Sequence, residues 1–153
     1  MQTSRSFFEL AVPLLAERRV RPVSCMGDGL LAIAQGPGHR ERGLSFARRL
    51  VRRAGRLSAV RKVLEIPFGL DLRAGVASGP VVMGLLGSHF KREFAAIGLT
   101  TNLAARLQSA AKPGEVVASR DTAGALASEG TPEEIQAKGF DAPIPIVRFR
   151  ESD

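Results

Sequence analysis

Asn102 and Arg106 stand four residues apart in the run Thr100-Thr101-Asn102-Leu103-Ala104-Ala105-Arg106-Leu107. On a helix that spacing puts an amide and a guanidinium on one face. Leu103, Ala104 and Leu107 are then free to pack on the other side. A helix that buries an apolar face while offering these two groups is suited to hold a phosphate or a developing oxyanion. Taken alone, the pair is also what an ordinary exposed helix face presents, so its meaning depends on what surrounds it. One carboxylate stands out upstream. Asp28 sits in Gly27-Asp28-Gly29 between two apolar runs, and Asp-Gly in that setting is a hairpin signal.

The elements that must position these groups can be read along the chain. Phe7, Leu10, Ala11, Leu14 and Leu15 recur at helical spacing, and Pro13 predicts an interruption there. Val20–Met26 and Leu30–Ala34 are β-permissive runs on either side of Gly27-Asp28-Gly29, and Gly36-Pro37-Gly38 closes that unit. A helix is predicted over about 41–62. Leu70–Val76 alternates and reads as a strand leading into the turn Ser78-Gly79-Pro80. Val81–Gly87 follows, with small residues that suggest close backbone approach. The helix carrying Asn102 and Arg106 is predicted over about 100–111 and is stopped by Lys112-Pro113-Gly114. Glu115–Ser119 reads as a strand, 121–128 as a short helix, and Ile144–Phe149 as a last strand. Helices interspersed with hairpins imply an α+β domain, with helices packed on one sheet, spanning residues 1–153.

Composition narrows the function classes. The chain has 153 residues, 44% hydrophobic and 24% charged, which is ordinary for a folded domain. The lone cysteine, Cys25, excludes a disulfide framework and a cysteine zinc site, and makes a reducing cytoplasm the easier compartment. No apolar run approaches the ~18 residues of a membrane span. The net charge of +7 is concentrated in Arg40, Arg42, Arg48, Arg49, Arg52, Arg53, Arg56 and Arg61. Leu44, Ala47, Leu50, Val51, Ala54 and Leu57 recur at helical spacing among them, so these arginines read as the solvated face of a packed helix. Nucleic acid is not an expected partner, because Phe46 is the one aromatic residue among these arginines and no helix-turn-helix or zinc-finger pattern appears.

The motifs taken together resemble a known family. Residues 71–87, Asp-Leu-Arg-Ala-Gly-Val-Ala-Ser-Gly-Pro-Val-Val-Met-Gly-Leu-Leu-Gly, resemble a strand-turn-strand of class III adenylyl/guanylyl (nucleotidyl) cyclase catalytic domains. Residues 97–107 are similar to that family's Ile-Gly-x-x-x-Asn-[Leu/Val]-Ala-x-Arg element. Gly27-Asp28-Gly29, Lys112-Pro113-Gly114-Glu115-Val116 and Lys138-Gly139 follow the same order and spacing, so the resemblance covers roughly residues 4–149. It implies a ferredoxin-like βαββαβ sheet with helices packed on it, and conversion of ATP or GTP to a 3′,5′-cyclic nucleotide and pyrophosphate. By the same resemblance Asn102 orients the ribose, Arg106 neutralises charge on the α-phosphate, and Arg73 and Lys138 reach the terminal phosphates. Asp28 matches one of two metal-binding aspartates, which implies Mg²⁺ or Mn²⁺, two ions in a complete site. The sites of the family form between the subunits of a head-to-tail homodimer or heterodimer.

The chain departs from the family pattern in three places. No strand with the second metal-binding aspartate is found before Asp28. The domain is therefore expected to be N-terminally truncated and impaired as it stands, with unpaired strand edges. The purine-reading positions are Ser24 and Ala95, and Ala95 has no side-chain partner to offer, so base discrimination is expected to be weak. Leu99 stands where the family often has Asp, a change of structure rather than of ligand. Conversion of ATP to cyclic AMP in cyclic-nucleotide signalling is the first expectation. The alternative is a catalytically degenerate nucleotide-sensing or dimerisation module.

Overall fold

The computed structural model describes residues 2–26, 29–67, 69–89 and 92–151, with side chains described for all of these except 2, 3, 26 and 92–94. Helix α1 (Gln2–Arg18) leads into the antiparallel strands β1 (Arg21–Met26) and β2 (Gly29–Ile33). The long helix α2 (His39–Val63) follows, then β3 (Ala74–Val76), β4 (Val82–Gly87) and β5 (Arg92–Ile97). Helix α3 (Leu99–Ala110) leads to β6 (Glu115–Ser119) and the short helix α4 (Arg120–Ala123), which runs on into a 3₁₀ turn (Gly124–Glu129). The chain closes with β7 (Thr131–Ile135) and β8 (Ile144–Arg150).

Four strands form one mixed sheet in the order β3-β6-β8-β7, parallel between β3 and β6 and antiparallel elsewhere. Helices cover both of its faces because its strands alternate between two apolar sets. Val116, Ala118, Val147 and Phe149 meet Leu44, Ala47 and Val51 of α2 on one face. Val117 and Ile146 meet Leu107 and Ala111, from α3 and its C-cap, on the other. A second stripe of α2, with Phe46, Leu50 and Ala54, packs against Phe7, Ala11, Leu14 and Leu15 of α1 and against Leu30 and Ala32 of β2. Helix α2 thus serves as common floor for the hairpin and the main sheet. Each Leu or Phe fully buried there contributes about 1.5–3 kcal/mol.

Several expectations need correction. Helix α1 runs through Pro13 without a break in its assignment. An interior proline removes a hydrogen bond and costs about 3 kcal/mol, but the buried row Phe7, Ala11, Leu14 and Leu15 holds both halves against α2. The strand expected over 70–76 is confined to 74–76: Leu70 N donates to Ser58 Oγ (2.6 Å) rather than to a strand, while Leu72 O still accepts from Gly114 N (2.8 Å), just ahead of β6. The strands also do not join into one hydrogen-bonded sheet. The β1-β2 hairpin, the β4-β5 ribbon and the four-stranded sheet are separate ladders. Strands β2 and β3 both rest on α2, and among the described residues no pairing connects them.

The arginines of α2 are also less solvated than their spacing suggests. Arg48 lies over the Phe149 ring (4.5 Å to its centroid), bonds Glu129 (2.7 Å) and pairs closely with Glu151. Arg52 bonds the same buried Glu151 carboxylate at 2.6 Å, and Arg49 reaches Glu17 at 3.3 Å. Arg42 donates to the carbonyls of Arg19 (2.8 Å) and Pro37 (3.2 Å), which clasps the end of α1 to the start of α2. Burial of Arg48 disfavours its charge, but the two carboxylates outweigh that and hold its pKa above the ordinary value.

Candidate active site

The seating of α3 on β3 decides where Asn102 and Arg106 point. At Gly75 an added Cβ would lie 2.2 Å from both Ala104 O and Gln108 N. Only glycine lets the helix backbone approach the strand this closely. Leu107, fully buried, faces the sheet, and Asn102 and Arg106 are left exposed. The chain enters the helix through Gly98, at φ 144°, a conformation that side-chain-bearing residues rarely adopt. Asn102 N–H donates to Gly98 O at 3.2 Å and closes the first turn. No acidic residue stands in that turn. Its free N–H groups and the Arg106 guanidinium make this end of α3 favourable to an anion. Thr100 Oγ1 also donates to Pro80 O (2.9 Å), tying the helix start to the turn after β3. Thr100 escaped the sequence reading, although a hydroxyl in a first helical turn is a known local signal.

The other candidates are distributed as follows. Arg73 is exposed and donates from Nη1 to Ala111 O at 3.4 Å. That carbonyl lies nine residues along α3 from Asn102, about 13 Å at helical rise, so this conformation does not bring Arg73 to the Asn102 turn. Lys138 is exposed in the loop between β7 and β8. Ile135 and Ile144, at the two ends of that loop, pack against the core cluster of Leu107, Ala111, Val117 and Ile146. Ser24 on β1, half-buried, faces Leu31 across the hairpin, and Ala95 on β5 faces Gly84. Strands β1 and β5 are neighbours, so the two positions expected to face the purine fall on adjacent strands. Asp28 lies outside the described residues; the flanking Met26 and Gly29 pair across the hairpin. A cleft of about 410 Å³ opens at the opposite end of that hairpin, lined by Arg19, Arg21, Ile33, Gln35, Pro37 and Arg42. It contains none of the candidate residues.

Among the described residues no group of three or more His, Cys, Asp or Glu side chains converges, and the candidate ligand Asp28 lies outside them. The groups that the described residues offer are the Asn102 amide, which can orient a ligand, and the Arg106 guanidinium, which can neutralise an anion's charge.

Comparison with known proteins settles the family. The model of the adenylate and guanylate cyclase catalytic domain matches residues 5–141. This chain belongs to that family. Guanylate cyclase 2G of Mus musculus is 41% identical to the cyclase domain over 101 residues, covering 55% of this chain and 9% of the relative. The chain thus spans less than a tenth of that relative's length. Among solved structures, the adenylyl cyclase CyaB from P. aeruginosa superposes with a TM-score of 0.82 at 20% identity, covering 96% of this chain and 80% of that one. The guanylate cyclase domain of RhGC from Catenaria anguillulae, in complex with GTP, superposes with a TM-score of 0.78 at 21% identity, covering 95% and 80%. Both likenesses bear out the cyclase fold that the motifs imply. No described helix of the cyclase domain is long and apolar enough to cross a membrane.

Proposed function

We propose that this cyclase domain converts ATP to 3′,5′-cyclic AMP and pyrophosphate, with weak discrimination against GTP, as one member of a head-to-tail dimer in cyclic-nucleotide signalling. The observation that carries the reading is the fit of α3 at Gly75, which leaves Asn102 and Arg106 together on the exposed face of a helix with an electropositive start. In this reading the Asn102 amide orients the ribose, so that its 3′-oxygen faces the α-phosphorus. The Arg106 guanidinium gains most when charge builds on the α-phosphate oxygens, and such differential binding lowers the barrier. Lys138, on the exposed β7-β8 loop, would meet the leaving pyrophosphate. Arg73 would have to leave Ala111 O to join it. Mg²⁺ or Mn²⁺ belongs to the reading through the family, with Asp28 as candidate ligand.

A partner subunit is supported by the apolar surface around the β4-β5 ribbon. Val82, Leu85, Leu86, Ile97 and Leu99 are all exposed, by 70%, 63%, 51%, 49% and 72%. Apolar side chains exposed on both faces of one ribbon and at the start of α3 mark an interaction surface. A cytoplasmic location accords with the single unpaired cysteine.

The test is product formation from ATP and from GTP with Mn²⁺, resolved by chromatography against authentic cyclic AMP and cyclic GMP. Cyclic product with released pyrophosphate supports the proposal. Saturable nucleotide binding without product supports the second reading, a degenerate sensing or dimerisation module, which Ala95 favours because it offers the base no side-chain partner.

A further inference from the structure

Ser119 and Thr122 are buried hydroxyls, 4% and 2% exposed, which the proposed chemistry does not use. Ser119 Oγ lies 2.6 Å from Thr122 Oγ1, and Thr122 Oγ1 donates to Ser78 Oγ at 2.8 Å. A hydroxyl has one proton to give. Thr122 gives its own to Ser78, so Ser119 must be the donor of the first pair. The chain of bonds therefore runs from Ser119 to Thr122 to Ser78, out of the sheet core and into the turn after β3. Next in that turn is Gly79, where an added Cβ would lie 2.5 Å from Thr100 Oγ1. Thr100 in turn holds Pro80 O at 2.9 Å. A continuous line of hydrogen bonds and close contact thus joins the β6-α4 junction to the first turn of α3. Asn102 is two residues further on.

We propose that Thr122 is a positioning residue for the Asn102 turn. It anchors the turn at 78–80 and, through Thr100, sets where α3 begins. Threonine suits the task because its Oγ1 accepts from one neighbour and donates to the next while its methyl group stays in the core. Valine has the same shape but can do neither, and serine keeps both bonds. Hydrogen bonds in such a chain reinforce one another. The consequence for turnover rests on the cyclase reading; the structural claim does not.

Native-state hydrogen exchange followed by NMR tests the proposal on the full chain. Asn102 N–H, bonded to Gly98 O at 3.2 Å, reports on the first turn of α3. Thr122→Val should speed its exchange about tenfold, the effect of losing, of its two bonds, the one that reaches the turn. Thr122→Ser should restore the wild-type rate. Ser78→Ala should reproduce the valine effect while leaving the buried Ser119–Thr122 pair intact. Unchanged exchange at Asn102 in either the valine or the alanine variant overturns the proposal. So does equal acceleration across the amides of β6 and β8, which would mark a global loss of stability. In the product assay Thr122→Val should lower kcat about tenfold with KM little changed. If the wild-type chain forms no cyclic product, the cyclase reading fails while the exchange result still decides the positioning claim.

Discussion

At the scale of the residue, Gly75 and Glu115 carry the most specific expectations. An alanine methyl group at 75 would lie 2.2 Å from two backbone atoms of α3, and backbone cannot swing aside as a flexible side chain can. Gly75→Ala should cost about 3 kcal/mol of stability, read as a lower urea midpoint at unchanged slope. Gly84→Ala, with nothing within 4 Å of the added carbon, should cost far less. Burial works against the charge of Glu115. The Lys112 N–H and the Arg148 and Arg150 guanidinium groups outweigh burial and hold its carboxyl below the usual range. A depressed carboxyl contributes stability that is present above its unfolded pKa, about 4.3, and is lost as pH falls through the folded value. Glu115→Gln should therefore lower stability at pH 7 by about 2 kcal/mol and flatten the decline below pH 4.3. Urea titrations from pH 7 to pH 3 check both parts. The expectations for Asn102, Arg106 and Gly75 could be read at this scale, because each stands in a short local motif, residues 97–107 for the pair and 71–87 for the glycine. Thr122 was not, since its partners Ser78 and Ser119 are distant or unremarkable in sequence and only folding joins them.

At the scale of the element, the readable pieces were those whose pattern is self-contained. Strand β6 and helices α2 and α3 match their periodicity to within a residue or two. Strand β7 gave no such signal, because Thr131-Pro132-Glu133-Glu134 is polar and holds a proline. It forms at the sheet edge, where a missing N–H is tolerated. Strand β8 offers it a ladder, and Arg148 binds Glu133 at 2.6 Å. Strand β5 likewise depends on its partner β4 rather than on its own pattern. Helix α2 shows the converse error, in which a correctly placed helix had its charges misassigned. Glu151 holds both Arg48 and Arg52 from a position only 8% exposed. Removing one member of such a cluster strands buried charge, so Glu151→Ala should cost about 3 kcal/mol, measured by thermal and urea unfolding. A surface pair such as Arg5–Glu9, with both side chains largely exposed, should contribute under about 1 kcal/mol.

At the scale of the whole molecule, two surfaces invite opposite expectations. The net charge of +7 suggests an affinity for polyanions, but the arginines of α2 at 42, 48, 49 and 52 are engaged within the fold. Oligonucleotide titrations at low salt should show no specific binding. The apolar β4-β5 ribbon should instead draw two copies together. Sedimentation should show concentration-dependent dimers, and Leu85→Asp, at a 63% exposed position, should shift them to monomers with no loss of thermal stability. The central claim, that the exposed face of α3 is a cyclase's phosphate-handling face, is tested most directly by product formation from ATP and Mn²⁺ in the wild type, Asn102→Ala and Arg106→Ala. The wild type should yield cyclic AMP and pyrophosphate, and each variant, with folding intact, should be slower by about 10²–10³. Wild-type chain that binds ATP without forming a cyclic product, or variants as fast as the wild type, would contradict that claim.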